Sequence, residues 1–387
     1  MQYREFGRFG YKVSQLGFGA MRLPPRDKGG PRWGPGGEVD VEEAVRIIRR
    51  ALDLGVNFID SMLTYHHGQS EEVLGKAIKG WPREKLFIQT KCPMYREESG
   101  DDTYWSRLEL ALSRLDCGHI DFYLAHHYMW ESYKKTGKAF RKICQKAKDQ
   151  GLIKHTGLSC HDTQENMIKF IDTGEFDCMT LQYNLLDRAN EEVMAYAHDK
   201  GMGIVVMGPV GGGRLAGPSP EIQKLLPGET RSSPEIALRF VFANPNVSVA
   251  LSGMNTMEQV EENCATASVA RPLSEEEYRQ VQEALAEKKK LAELYCTGCK
   301  YCMPCEQAVA IPTIFSLMNA YRLYGLKDYA QQRYRRLGPH SRRGHMAGDA
   351  CIECGQCEEK CPQNIPIIEQ LKEAHKALSD SGREERK

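Results

Sequence analysis

Residues 55–78 read GVNFIDSMLTYHHGQSEEVLGKAI. The run from Val56 to Asp60 is about five residues long, apolar, and stops at a charged residue, as a buried parallel strand does. From Ser70 onward the apolar residues recur at helical spacing instead. Strand, short polar segment and helix make one unit, and the unit recurs on both sides. Further apolar runs are QLGFGA (15–20), LFIQT (86–90), IDFYLA (120–125), HTGLS (155–159), MTLQY (179–183), GIVVM (203–207) and VSVAL (247–251). Amphipathic stretches follow them, beginning near Asp40, Ser70, Thr103, Lys138, Thr163, Glu191, Pro234 and Met257. Asp40-Val-Glu-Glu43 has the form of a helix-capping box.

Eight strands each followed by a helix predict a (β/α)8 TIM barrel over residues 1–273. A doubly wound sheet is the alternative, but it calls for G-x-G-x-x-G after the first strand; Gly17-Phe18-Gly19-Ala20 does not supply it. The opening YREFGRFGYKVS predicts a β-hairpin plugging the barrel floor. Residues 22–40 are dense in Pro and Gly and predict a long loop over the chemical face of the barrel. Ser274-x-x-Glu277 opens a charged helical linker over 274–295. Residues 296–375 predict a second, small and mostly helical domain, and 376–387 a polar tail.

Lys+Arg and Asp+Glu stand at 52 each in 387 residues, which argues against a nucleic-acid or charged-membrane partner. With no apolar export segment at MQYREFGRFG and no run long enough to span a bilayer, a cytoplasmic protein is expected. Fourteen cysteines then point to metal or cluster ligation more than to disulfides. Cys92, Cys117, Cys144, Cys160, Cys178 and Cys264 are scattered, as small core residues are. The other eight follow residue 295.

Polar residues at the C-terminal ends of barrel strands are candidates for chemistry. Asp60, Lys91 and His126 end three successive strands, and Tyr65 lies five residues beyond Asp60. An ammonium near a phenol favours the phenolate and lowers its pKa. Tyr65 could then exchange a proton with a carbonyl oxygen, with Asp60 keeping Lys91 charged and His126 orienting the carbonyl. Taken singly, a loop tyrosine, a lysine after a strand and a strand-end histidine each have ordinary structural explanations. Their convergence raises the functional reading. His66 and His67 read as solvated loop residues, and the loop after His126 (YMWESYKKTGK, with Trp130 and Tyr133) as pocket lining.

GVNFIDSMLTYHHGQSEEVLGKAI, FIQTKCP, IDFYLAHHY and GLIKHTGLSCHD, in this order, resemble the aldo-keto reductases over roughly residues 3–266. The resemblance implies that Asp60, Tyr65, Lys91 and His126 form the catalytic tetrad, with Tyr65 as general acid/base. It implies NADP(H) or NAD(H) lying across the barrel mouth, near Gly19, Met21, Ser159, Gln182, Met207, Gly208, Gly253, Gln259 and Asn263. Ser159 and Gln182 match the positions that bind the carboxamide. Cys160 stands where Asn is usual, and Met207 where an aromatic often stacks. Gly211, Gly212 and Gly213 allow close approach to phosphate. Gly253 and Gln259 stand where many NADPH-using members carry Lys and Arg, so preference for NADPH does not follow, though Arg214 could compensate.

The run CIECGQCEEKCP places Cys351, Cys354, Cys357 and Cys361 in C-x2-C-x2-C-x3-C-P, the spacing bacterial ferredoxins use for [4Fe–4S] clusters. The run CTGCKYCMPC supplies Cys296, Cys299, Cys302 and Cys305. Zinc is the alternative, but zinc ribbons use pairs of cysteines, not two runs of four. The expectation is a ferredoxin-like domain with two [4Fe–4S] clusters, one on Cys296, Cys299, Cys302 and Cys361, the other on Cys351, Cys354, Cys357 and Cys305. The 45 residues between the runs, basic and tyrosine-rich, predict a helical insert. Its Tyr321, Tyr324, Tyr329 and Tyr334 are expected to pack on the module, leaving a solvated basic face.

The expected activity is NAD(P)H-dependent reduction of a small carbonyl compound, or oxidation of an alcohol, with the clusters as candidate electron carriers to the site or to a redox protein partner. The rival is a nicotinamide-binding redox sensor or regulatory subunit whose clusters report or are structural.

Overall fold

The computed structural model describes residues 1–27, 38–94, 101–226, 232–269, 272–293, 296, 300–341, 344–361 and 364–379. The tip of the Pro/Gly loop, Cys299 and the end of the tail lie outside these. Among the described residues no helix is long and apolar enough to cross a membrane.

Strands β1 (Tyr3–Glu5) and β2 (Lys12–Ser14) pair antiparallel as a hairpin. The next eight are β3 (Leu16–Gly19), β4 (Phe58–Asp60), β5 (Phe87–Pro93), β6 (Ile120–His126), β7 (Ile153–Ser159), β8 (Cys178–Gln182), β9 (Gly203–Met207) and β10 (Val249–Ser252). They close in the order β10-β3-β4-β5-β6-β7-β8-β9. Every pairing is parallel, so all eight C-terminal ends face one mouth. The expected barrel and hairpin are both present.

The hairpin closes the floor through Phe6. Its ring centroid lies 4.5 Å from Phe122 and 5.7 Å from Phe58, and Val205 and Val249 complete the cluster. A Cβ at residue 203 would stand 2.1 Å from the Phe6 ring, so only glycine fits beneath it. Burying Phe6 and its neighbours removes large apolar areas from water at about 25 cal/mol per Å².

The helices begin close to where their periodicity predicts, with one exception. Ser274 and Glu277 form a full capping box, Glu277 N donating to Ser274 Oγ at 3.1 Å and Ser274 N to Glu277 Oε2 at 2.8 Å, whereas Asp40 is a single cap: it accepts from Glu43 N at 3.2 Å but its own N–H goes to the Pro24 carbonyl at 2.9 Å. The helix expected near Lys138 instead runs Trp130–Asp149. Its start is capped from elsewhere in the chain, Trp130 N donating to Asp162 Oδ2 at 2.7 Å. Trp130 and Tyr133 thus stand on a helix and meet Phe170 edge-on, at 5.1 and 5.3 Å, rather than forming a free loop.

The chain divides into two compact units: Met1–Gly213 with Ala237–Leu273, and Arg214–Ile236 with the residues from Ser274 onward. The second unit is helical, with helices at Glu275–Glu293, Ile311–Leu323, Lys327–Tyr334, Gln356–Glu359 and Ile367–Ser379. Val309, Ile314, Phe315, Ala330, Leu371 and Leu378 form its core, against which Cys296, Cys302, Cys305, Cys351, Cys357 and Cys361 pack. Tyr334 is buried there, its hydroxyl 2.8 Å from His375 Nδ1, and Tyr321 and Tyr329 pack on the same core. Arg322 pairs with Glu373, while Lys327 lies 5.6 Å from the Tyr321 ring centre.

Candidate active site

Asp60 and Lys91 are placed by adjacent strands, β4 and β5, and both are buried. Lys91 Nζ donates to Asp60 Oδ1 at 2.5 Å and to the Ser61 carbonyl at 2.7 Å. Gln89 Nε2 donates to the same Asp60 oxygen at 2.6 Å. Burial pushes the Asp60 carboxyl up, and Lys91 and Gln89 pull it back without cancelling the rise. Burial also works against the Lys91 charge, but Asp60, Tyr65 and Glu71 outweigh it and raise the ammonium's pKa. The ammonium–carboxylate form accounts better for the contacts, because one Asp60 oxygen accepts from two donors while Nζ also reaches a carbonyl.

Lys91 Nζ lies 5.4 Å from the Tyr65 ring centre. The His126 ring stands edge-on to Tyr65, centroids 6.2 Å apart. The four expected residues therefore converge at one mouth. The direction of the Tyr65 shift differs from the sequence reading. Lys91 does lower the phenol pKa, but burial is larger and Asp60 acts with it, so the phenol is raised and stays protonated. Burial first, then Lys91, His127 and His161, hold the His126 imidazole down to about 3, so it is neutral near pH 7.

The loop carrying Tyr65 is strained: His66 and His67 take φ of 50° and 57°. His67 is exposed as expected, but His66 is buried at 2%, its Nε2 3.1 Å from Met21 O and 3.3 Å from Leu23 N. A brace not foreseen from the sequence holds this loop from below. Arg114 donates to Leu63 O at 3.0 Å, approaches Glu71 Oε2 at 3.6 Å, and fills the space beside Gly68. Glu71, fully buried, accepts from Thr90 Oγ1 at 2.6 Å. A charged residue inside the Ser70-Leu74-Ile78 face of the following helix was the available signal.

Around the rest of the mouth, Ser159 ends β7, Gln182 ends β8, and Met207 ends β9 in register with Gln182. A Cβ at Gly208, whose φ is +66°, would stand 2.8 Å from the Gln182 amide, so glycine is needed to leave that amide in place. Gly19 and Ser252 lie side by side on paired β3 and β10. Asn263 Nδ2 donates to Ser252 Oγ at 3.1 Å. Gln259 caps its own helix, Oε1 accepting from Asn255 N at 2.9 Å. Cys160 is buried, 3.4 Å from the Tyr128 carbonyl, with burial pushing its thiol up to about 12. It serves packing and cannot replace an amide. All six barrel cysteines are buried free thiols. Arg214 lies 5.8 Å from the Tyr329 ring centre in the second unit.

In the second unit Cys302, Cys305, Cys351, Cys354 and Cys357 line one pocket, with Val309, Ile311 and Leu371 behind them. Among the described residues, no three His, Cys, Asp or Glu side chains gather at one point as ligands of a single ion. A zinc ion draws four sulfurs to about 2.3 Å from one centre. A four-iron cluster binds each thiolate at a different iron, so thiols spread around an apolar-backed cavity suit it. Cys299 lies outside the described residues.

Residues 15–286 match the model of the aldo/keto reductase family, and residues 295–365 match the 4Fe-4S dicluster domain. An L-galactose dehydrogenase from Arabidopsis thaliana is 27% identical, over 76% of this chain and 95% of that protein. An NADH-specific methylglyoxal reductase from Escherichia coli is 25% identical, over 66% of this chain and 90% of that one. A holo-form aldo-keto reductase from Bacillus halodurans superposes with a TM-score of 0.62 at 27% identity, covering 73% of this chain and 96% of that one. The chain therefore belongs to the aldo/keto reductase family, its oxidoreductase barrel joined to a 4Fe-4S dicluster domain.

Proposed function

We propose that the chain is an NAD(P)H-dependent reductase of a small carbonyl compound, running in reverse as an alcohol dehydrogenase, with Tyr65 as its acid and base. The observation that carries this reading is the buried Asp60–Lys91 pair set beside a protonated Tyr65 and a neutral His126. A nicotinamide held at the mouth would supply hydride for a carbonyl carbon. Tyr65 gives its proton to the carbonyl oxygen, and the Lys91 ammonium stabilises the phenolate left behind. Asp60 keeps Lys91 charged through that change. His126, neutral, can donate one hydrogen bond to the same oxygen and so fix its approach.

Ser159 and Gln182 suit the carboxamide, and Met207 offers the ring a soft apolar face. The space kept open at Gly208 supports this fit. Gly19, Met21, Gly253, Gln259 and Asn263 are assigned to the rest of the nucleotide. Neither Gly253 nor Gln259 brings a charge to a 2′-phosphate, so NADH and NADPH are both substrates to test. Cys296, Cys299, Cys302 and Cys361 would hold one cluster, and Cys351, Cys354, Cys357 and Cys305 the other. Each cluster carries one electron and hydride carries two, so the carbonyl step does not call on them.

The test is turnover of cluster-loaded protein with each nucleotide over a broad panel of aldehydes and ketones. Tyr65→Phe should lower kcat by about 10²–10⁴-fold. No reduction of any carbonyl, together with no effect of Tyr65→Phe, would sink the reading and leave the regulatory one.

A further inference from the structure

Arg22 is a cation at the barrel mouth that the reductase reading does not use. It stands three residues beyond the end of β3, half-buried. Its Nη2 donates to the Gly212 carbonyl at 3.4 Å, near the limit of a hydrogen bond. Its Nε is buried without a hydrogen-bond partner. Its stem lies against Gly253, where an added Cβ would come within 3.2 Å of the Arg22 Cβ. Arg22 and Tyr65 lie within electrostatic reach of each other. Three other partly or fully buried cations of the barrel have carboxylates, Lys91 with Asp60, Arg114 with Glu71 and Arg188 with Glu191, while Arg4 is held by three backbone carbonyls. Among the described residues no carboxylate pairs with Arg22.

A guanidinium offers five donors in a planar fork. Held half out of water with one long bond, it forgoes hydration without a counter-charge, an arrangement that favours an incoming anion. We propose that Arg22 forms an anion subsite of the mouth, taking a carboxylate or a phosphoryl group of a bound molecule through its Nε and Nη2 edge. This deepens the reductase reading and rests on it for what is bound. The anion has two sources, the carboxylate of an oxo-acid substrate or a phosphate of the dinucleotide.

The experiment uses the full, cluster-loaded chain and its Arg22→Gln variant, with the melting temperature as a check on folding. Three quantities are compared. They are the calorimetric affinities for inorganic pyrophosphate and succinate, the affinities for NADH and NADPH by fluorescence titration, and kcat/KM for succinic semialdehyde against butanal. Loss of a charge-assisted fork should cost about ten- to a hundredfold. A loss confined to succinate and the carboxylated aldehyde assigns the subsite to substrate. A loss of pyrophosphate and nucleotide affinity, with both aldehydes slowed alike, assigns it to the dinucleotide. All values within about twofold of the unaltered protein overturn the proposal. Should Arg22→Gln fail to fold, Arg22→Lys keeps the charge without the fork and should still lose severalfold in one arm. Absence of turnover of either aldehyde by the unaltered protein counts against the reductase reading alone, since the calorimetry still decides on the anion.

Discussion

The Asp60–Lys91 pair sets the electrostatics of the mouth, and a double-mutant cycle measures it. In Lys91→Met, Asp60 keeps its 2.6 Å bond from Gln89 but loses the 2.5 Å bond from Nζ. In Asp60→Asn, Lys91 keeps the Ser61 carbonyl at 2.7 Å but loses its counter-charge. Each change leaves one buried charge uncompensated, a loss of about 3–5 kcal/mol. That corresponds to a fall in melting temperature on the order of 10 °C for a barrel of this size. The double variant, with neither charge, should lose about as much as one single, so the coupling should be about 3 kcal/mol or more. A pH signature accompanies it. Asp60, already raised by burial, rises further in Lys91→Met. A carboxyl with a raised folded pKa is most favourable below its unfolded value and loses that advantage as pH rises through the folded one. Lys91→Met should therefore sit closer to the unaltered protein at pH 5 than at pH 8. Urea unfolding of the full chain, followed through a barrel tryptophan, reads both. Additive losses, within about 0.5 kcal/mol, would refute the account.

The cluster assignment predicts a pattern of iron loss. The intact protein should hold about eight irons, and Cys305→Ser, Cys354→Ser or both together should each leave about four. Cys305→Ser with Cys361→Ser should leave almost none, and total loss in the Cys305/Cys354 pair would overturn the pairing. His126, held down to about 3, should contribute no inflection to the kcat/KM profile between pH 5 and 8. Because its folded pKa lies below the unfolded value, its stabilising contribution is present above about pH 6.5 and is lost as pH falls towards the folded value. Thermal melts of the unaltered protein should therefore fall towards those of His126→Gln between pH 7 and 4, and a constant gap would contradict the burial of that ring.

Much of the site was legible because its residues sit at strand ends. A strand that closes on Asp60, Lys91 or His126 announces both the barrel and the position of its chemistry, since parallel strands bring their C-terminal ends to one mouth. The eight cysteines were equally plain, because ligand spacing is a local property of the chain. The helix at Trp130 starts ahead of its periodicity because its cap comes from Asp162, 32 residues away. Residues 214–236 group with the second unit, which no local pattern in that stretch announces.

The amino-acid sequence by itself determined the architecture, the four converging residues and the paired thiol runs, each through spacing within a few residues. Only the tertiary structure decided their electrical state. Tyr65 is protonated where spacing suggested a lowered phenol, because desolvation is set by everything packed around it and outweighs one nearby ammonium. His66 is buried, Arg114 braces the Tyr65 loop through Glu71, and Arg22 has no carboxylate partner among the described residues, for the same reason. Burial and counter-charge come from residues tens of positions apart in the chain, and they exist only once the barrel has closed.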